Sequence, residues 1–316
     1  MRVASSLRAV ARAASSEARR VPTYGREGAF FVGETATSGR GAYAARDFAV
    51  GEAVVVHERP LVCAPSRANG RAIACETCVR ESGGERFCSD ACARAGRVEF
   101  ERERGIEFDE LEARCDARAL KFPLVVARAA TMIASGSLQY GSLEFLVSAN
   151  GVEKAPPRQW VEEWETLRRA LARARPALEW TPSLEWYAKT TSRLHLNSFR
   201  VEIPPAMVGA GADFKSTMTA GIDAIARGAA SGTAVYFTAS LFNHSCAPNA
   251  HVSWENGDAA ITIRTLRPVR AGEEFNITYV DANERSASRR ARLKEWYGFD
   301  CACERCASGE DDDVDA

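Results

Sequence analysis

No stretch of this 316-residue chain approaches the roughly 18–20 consecutive apolar residues that a membrane span needs. The long apolar core of a secretory signal is also missing. So are internal repeats, and so is a convincing nucleophile–base pair for covalent catalysis. Basic and acidic residues nearly cancel, 41 against 42, for a net charge of −1. That balance excludes the basic domain typical of direct nucleic-acid binders. What is present is ordinary globular material, 46% hydrophobic and 26% charged, enough for one large or two modest domains.

The charge is uneven at the two ends. Residues 1–20 carry five arginines and one glutamate, with Val3, Leu7, Val10 and Ala14 on one helical face and Arg8, Arg12 and Arg19 opposite. An Arg- and Ser-rich amphipathic start has the composition of an organelle transit peptide, so residues 1–24 are set apart from the fold as an N-terminal extension. The tail at 307–316 is acidic, and we expect it to be solvated.

Along the body the texture changes twice. Apolar and β-branched residues with glycine punctuation predict short strands in "SGRGAYAARDFAVGEAVVVHERPLVCAP". From about residue 93 to 230, stretches such as "PLVVARAATMIA" and "EWETLRRALARAR" have helical periodicity, divided by Pro156-Pro157, Pro176 and Pro204-Pro205. "GAGADF" reads as a loop before a helix over 214–227. Strand character returns near Thr233. Asn256-Gly257 fits a tight type I′ hairpin turn, "EFNITYV" (274–280) reads as a strand, and "ERSASRRARLKEWYGF" begins as a helix that ends at its glycine. Strands at both ends of the chain must therefore pair across a helical block. The fold class is α+β.

Ten cysteines occur in a chain without a secretory signal, so metal binding explains their clustering better than disulfides do. Cys75, Cys78, Cys88 and Cys92 form C-x2-C-x9-C-x3-C. Two close thiolate pairs can meet the tetrahedral geometry of a structural zinc, and "SGG" between them permits the chain reversal. Such a closed site has no open position for catalysis. Cys301, Cys303 and Cys306 place three more thiolates within six residues, one short of a tetrahedron. The fourth must come from elsewhere. Cys246, inside "NHSCAPN" (Asn243–Asn249), is the natural candidate, with Cys63 and Cys115 as rivals.

These motifs together resemble the SET-domain protein-lysine methyltransferases, and most closely the SET-and-MYND subfamily. The resemblance rests on "GRG" (Gly39–Gly41) with the following "RDF" and "GE", then "NHSCAPN", then "GEEFNITYVD" (Gly272–Asp281), then "CACERC". With the finger these motifs span about residues 35–306. "FCSDAC" is similar to the second half of a MYND finger, but the ligands of a second zinc are missing, so the resemblance is to a reduced, one-zinc version.

The resemblance implies a SET-domain β-fold with a pseudoknot, interrupted by a small zinc finger and a helical insertion. Its parts would be 25–74 and 231–300 for the SET domain, 75–92 for the MYND-like module, 93–230 for the insertion and 301–306 for the post-SET zinc motif. It implies S-adenosylmethionine as cofactor, two structural Zn2+ sites, and a protein substrate bearing a target lysine. Gly39, Arg40, Gly41, Asn197, Asn243, His244 and Phe299 would contact the cofactor. Tyr279 would be the active-site tyrosine, with Tyr297 and Phe199 lining the lysine channel. The second zinc would take Cys246 with Cys301, Cys303 and Cys306. We expect a monomer that binds neither nucleic acid nor membrane.

Many relatives continue into a helical-repeat domain, so substrate choice here is expected from the helical block or the channel rim. The family points to nucleus and cytosol, the N-terminus to a mitochondrion or plastid. Alone, Tyr279 would read as a core tyrosine, and His57, His195 and His251 as structural histidines. The alternative function, a catalytically silent zinc-binding interaction protein on the SET fold, has Asn243, His244, Tyr279 and Tyr297 together against it.

Overall fold

The computed structural model describes residues 28–35, 39–68, 71–72, 74–100, 106–174, 178–204 and 230–309. The amphipathic N-terminus, the loop at 209–214 with the helix expected after it, and the acidic residues from 310 on lie outside the described residues. Strands β1 (Phe30–Thr35), β2 (Gly39–Ala44), β3 (Ala53–Glu58) and β4 (Val62–Pro65) come first, then the short pair β5 (Arg67–Ala68) and β6 (Arg71–Ala72). Helices α1 (Asp90–Phe100), α2 (Asp109–Arg118), α3 (Phe122–Ser135), α4 (Arg158–Ala172) and α5 (Leu184–Asn197) fill the middle. After them come β7 (Ser198–Ile203), β8 (Ala230–Val235), β9 (Asn243–His244), β10 (Ala250–Ser253), β11 (Ile261–Thr265) and β12 (Asn276–Ile277), then α6 (Ser286–Tyr297) and α7 (Glu304–Ser308). The architecture is α+β. No described helix is long and apolar enough to cross a membrane.

The chain divides into two compact units. The first takes the described residues up to Arg59, Phe237–Glu255 and those from Ile261 on. Here early and late segments pair. β11 lies antiparallel between β10 and β3, with Ile263 opposite Val55. Isolated bridges join Tyr43 to Glu274 and Phe48 to Val269. The valines of "AVVV" account for the pairing: Val54 and Val55 are fully buried, and a β-branched run suits a pleated, covered surface. β9 and β12 form a parallel pair, Asn243 with Asn276 and His244 with Ile277.

Two sequence expectations are corrected. β10 and β11 do form a hairpin, but its connection runs over Trp254–Ala260 and is no two-residue turn. Gly257 does take a positive φ of 63°. The loop is longer because its backbone is bonded elsewhere: Ala259 N–H donates to Cys78 O (2.7 Å), and Tyr236 Oη–H donates to Ala259 O (2.6 Å). The strand expected over 274–280 shrinks to Asn276–Ile277. Beyond it the Tyr279 N–H leaves the ladder and donates to His244 Nδ1 (3.0 Å).

The second unit is Pro60–Tyr236 with Asn256–Ala260. Its helices pack around α3, which is apolar nearly all round and so is buried rather than amphipathic. Val125, Val126 and Ala129 of α3 meet Leu111, Leu167, Leu171, Tyr187 and Leu194, all fully or almost fully buried. Each large apolar side chain so buried contributes roughly 1.5–3 kcal/mol. The helical block ends in strand, because β7 pairs antiparallel with β8, which also pairs with β4. Arg128 is the charged exception on α3, and it is satisfied: its guanidinium donates to Cys63 O (3.1 Å), to Glu76 O (2.5 Å) and to the Glu76 carboxylate (3.1 Å). His195, exposed near the end of α5, packs on the Phe122 ring with centroids 3.9 Å apart.

In the first unit Glu58, the last residue of β3, is fully buried. Its two oxygens accept the backbone N–H groups of Thr238 (2.6 Å) and Ala239 (3.0 Å), where a 3-10 turn leads into β9. Burial outweighs these bonds and raises the carboxyl from 4.5 to about 7. The native chain therefore keeps this proton where the unfolded chain releases it, and the group's contribution to stability falls as pH rises from about 4.5 to about 7. Glu58→Gln should flatten the pH dependence of the thermal unfolding midpoint across that window. An unchanged slope would place the titration elsewhere.

Candidate active site and metal centres

All ten cysteines are unbridged. Eight of them form two groups of four in which every sulfur lies within 4.8 Å of the others: Cys75, Cys78, Cys88 and Cys92, and Cys246, Cys301, Cys303 and Cys306. A tetrahedral zinc with Zn–S bonds near 2.3 Å sets its sulfurs about 3.8 Å apart. Cys78, Cys88 and Cys92 stand 3.6 Å from one another, and Cys246 stands 4.0 Å from Cys301 and 3.6 Å from Cys306. These separations fit a metal and are far too long for a disulfide. The rivals for the fourth ligand lie elsewhere in the other unit. Cys63 Sγ–H donates to Thr77 O (3.5 Å), and Cys115 is buried among the helices.

Local chemistry brings each group together. In the first, Gly83 and Gly84 adopt φ of 64° and 89°, the left-handed region that glycine enters without penalty, and the chain reverses there. Ser89 then caps α1, its Oγ accepting Cys92 N–H (3.2 Å), so the first turn of the helix delivers the fourth sulfur. The thiols contend for protons. The hydrogen bond from Cys78 pulls Cys75 down to about 4, while the Cys78 thiol is driven well above 9. A dication held by the four sulfurs would remove that conflict, since it favours all four as thiolates.

In the second group α6 stops at Gly298, which takes φ 78°. The chain then turns into "CACERC". Arg305 ties it back, donating to Ala282 O (2.7 Å) and Cys246 O (3.2 Å). Cys246, Cys301, Val280 and Leu293 form one small core, with Tyr279, Tyr297 and Phe299 packed on it.

His244 joins this centre to Tyr279. Its Nδ1 accepts the Tyr279 N–H, so the ring proton sits on Nε2, which faces Cys246 Sγ at 3.3 Å. Burial and the nearby Arg289 charge push the imidazole down from 6.5 to about 4, which keeps it neutral. A neutral imidazole that donates to a ligand sulfur is an outer-shell contact of the kind that orients metal ligands. Tyr279 Oη–H donates to Phe242 O (2.8 Å), and burial raises its hydroxyl well above 10. Its ring lies 4.9 Å from Tyr297 and 5.4 Å from His244, and Phe299 is 6.1 Å from His244.

The glycine loop closes the other side. Gly39 and Arg40 are exposed at the start of β2. A Cβ on Gly41 would collide with Glu274 Oε1 and come within 2.9 Å of Asn243 Nδ2. Asn243 Nδ2 donates to Arg40 O (3.0 Å) and Glu274 Oε1 (2.7 Å). Asn249 Nδ2 donates to Glu274 O (2.8 Å), and its Oδ1 accepts Asn276 N–H (2.7 Å). Both asparagines of "NHSCAPN" thus fasten onto the segment that leads to Tyr279.

The structure therefore gathers Gly39, Arg40, Gly41, Asn243, His244, Tyr279, Tyr297 and Phe299 in the first unit. Asn197 and Phe199 belong to the second. Asn197 Nδ2 donates to Val147 O (2.8 Å) and Arg193 O (2.7 Å), and the Phe199 ring packs edge-on to Tyr236 (5.4 Å). Sequence reasoning passed over Glu58, Asn249 and Glu274. Glu274 and Asn249 lie inside motifs that carried the resemblance, but nothing local marks their side chains as partners of Asn243 and of the 274–276 backbone.

Comparison with known proteins identifies the family. The SET domain family model matches residues 39–280. The chain belongs to the SET-domain family. Histone-lysine N-methyltransferase ATXR4 of Arabidopsis thaliana is 30% identical over 292 residues, 88% of this chain and 86% of that protein. A SET and MYND domain-containing protein of Dictyostelium discoideum is 24% identical over 277 residues, 80% of this chain and 76% of that protein. A shorter match, 38% over 84 residues, covers 26% of this chain and 20% of protein-lysine N-trimethyltransferase SMYD5 of Gallus gallus.

Because the two thiolate groups share no residue, they should load independently. Cys301→Ser should lower bound zinc from about two to about one equivalent per chain, by elemental analysis, and perturb Tyr279 and Tyr297 fluorescence. Loss of both equivalents would show one coupled centre.

Proposed function

We propose that the chain is an S-adenosylmethionine-dependent protein-lysine N-methyltransferase. The SET domain would be carried by 25–74 and 231–300, and Zn2+ would hold both thiolate sites for shape alone. The observation that carries this reading is the convergence of Gly41, Asn243, His244, Tyr279, Tyr297 and Phe299 in one unit, joined to the second thiolate centre.

The cofactor, when bound, supplies an electrophilic methyl group on a sulfonium sulfur, and the protein contributes binding and orientation. Gly41 lets Asn243 and Glu274 approach the backbone where a Cβ would strike them, Asn243 offers polar contact, and Phe299 offers an aromatic face. The attacking lysine amine must be neutral, against an unperturbed pKa near 10.4. The half-buried rings of Tyr279 and Tyr297 disfavour the ammonium form by desolvation. Tyr279 keeps its own proton, committed to Phe242 O, so its oxygen lone pairs are left to accept an amine N–H and aim the nitrogen lone pair. A neutral phenol of this kind aligns the amine without taking up its proton. Alignment can supply several kcal/mol of barrier reduction. The substrate class is protein lysine, histone or non-histone.

Two measurements test the reading. Calorimetry on the zinc-loaded protein should give micromolar S-adenosylmethionine binding. Tyr279→Phe should keep that affinity while methyl transfer to a panel of lysine-bearing proteins drops by about 100-fold or more, in line with losing one transition-state hydrogen bond. A fully active Tyr279→Phe enzyme would remove Tyr279 from its role. Absence of binding by folded, zinc-loaded protein would overturn the reading itself.

A further inference from the structure

Glu274 is a half-buried carboxylate without a cationic partner among the described residues. Its backbone is held on both flanks: Ala44 N–H donates to Glu273 O (2.9 Å) and Phe275 N–H to Ala42 O (2.8 Å). A third bond comes from Asn249 Nδ2 to its own carbonyl (2.8 Å). The side chain makes one bond, accepting from Asn243 Nδ2 at 2.7 Å. An isolated carboxylate in such a place is costly unless it does something for its neighbours.

What it does follows from the amide it meets. The Asn243 side-chain nitrogen faces two acceptors, Arg40 O and Glu274 Oε1. Neither can donate, so the atom between them must be the –NH2, and both its protons are used. The amide cannot flip. Its Oδ1 is left on the other side with no partner among the described residues. We infer that Glu274 is a positioning residue that locks the Asn243 amide with its oxygen presented outward, as a preset acceptor for the primary ammonium on the amino-acid end of the cofactor. This rests on the cofactor reading above. Gly41 belongs to the same device, since a Cβ there would strike both partners of the lock.

The test separates a lock from a charge contact and from general damage to the pocket. The ligands are S-adenosylhomocysteine and its deamino analogue, which lacks only the α-amino group. The wild-type protein should prefer S-adenosylhomocysteine by about tenfold or more, the scale of one charge-assisted hydrogen bond. Glu274→Gln keeps an acceptor oxygen and should bind within about threefold of wild type. Glu274→Ala should lose about tenfold for S-adenosylhomocysteine and leave the deamino analogue unchanged. Asn243→Ala should do the same, and the double variant should be no worse than Asn243→Ala, since contributions through one group are not additive.

Equal wild-type affinity for the two ligands overturns the proposal even if the alanine variants do not fold. It also fails if Glu274→Gln is as weak as Glu274→Ala, if the deamino analogue weakens in parallel, if the single effects add, or if Glu274→Ala binds like wild type. Wild-type protein that binds neither ligand overturns the cofactor reading together with the lock, and is thereby told apart from these outcomes.

Discussion

Cys246 is the point on which the site depends. Three thiolates in "CACERC" leave a zinc one ligand short, and tetrahedral coordination must be completed by a residue far away in sequence. The structure supplies Cys246, which stands 4.0 Å from Cys301 and 3.6 Å from Cys306. The same cysteine faces the His244 imidazole, whose other nitrogen accepts the backbone N–H of Tyr279. One sulfur therefore joins the C-terminal segment, the "NHSC" turn and the segment bearing Tyr279. The aromatic residues that pack on this small core are Tyr279, beyond β12, and Tyr297 and Phe299, at and just after the end of α6. Such a core is small for apolar burial alone, and a metal held by the four sulfurs would fix its geometry.

Around that point the polar groups are almost fully committed. Asn243 and Asn249 each bind the 274–276 segment, and Glu58 takes two backbone donors at the entry to β9. Buried polar networks of this kind are worth having only when complete, because a half-satisfied buried group costs more than an apolar one. The Asn243 Oδ1 has no partner among the described residues, and in the proposed function it and the Tyr279 oxygen are the groups that would meet cofactor and amine. The helical unit works differently. Its stability rests on the apolar faces around α3, with two buried charges: Arg128, paired to the Glu76 carboxylate of the first cysteine module, and Glu163, which accepts from Tyr187 Oη and Gln159 Nε2.

Much of this was legible in the chain itself. The spacing of Cys75, Cys78, Cys88 and Cys92 is local, so a single module of sequence carries the whole ligand set. The helices over "PLVVARAATMIA" and "EWETLRRALARAR" follow from periodicity, and the end of α6 follows from Gly298. The order of the "GRG", "NHSCAPN", "GEEF" and "CACERC" motifs placed the fold class and the first-unit residues of the site. The hairpin at Asn256-Gly257 and the strand over 274–280 were read too regularly. In both cases a backbone group bonds to a distant partner, Ala259 to Cys78 and Tyr279 to His244, and no local pattern records that.

By itself, then, the sequence determined what depends on neighbours along the chain: helix and strand period, the reversal at Gly83-Gly84, the first thiolate cage and the three-quarters of the second. Tertiary structure alone decided which cysteine completes that second cage, which nitrogen of His244 holds the proton, which way the Asn243 amide faces, and that Glu58 is buried on two backbone donors. The reason is physical. Ligand choice, tautomer, amide orientation and desolvation are set by atoms a few ångströms away in space, and those atoms lie dozens to hundreds of residues away in sequence.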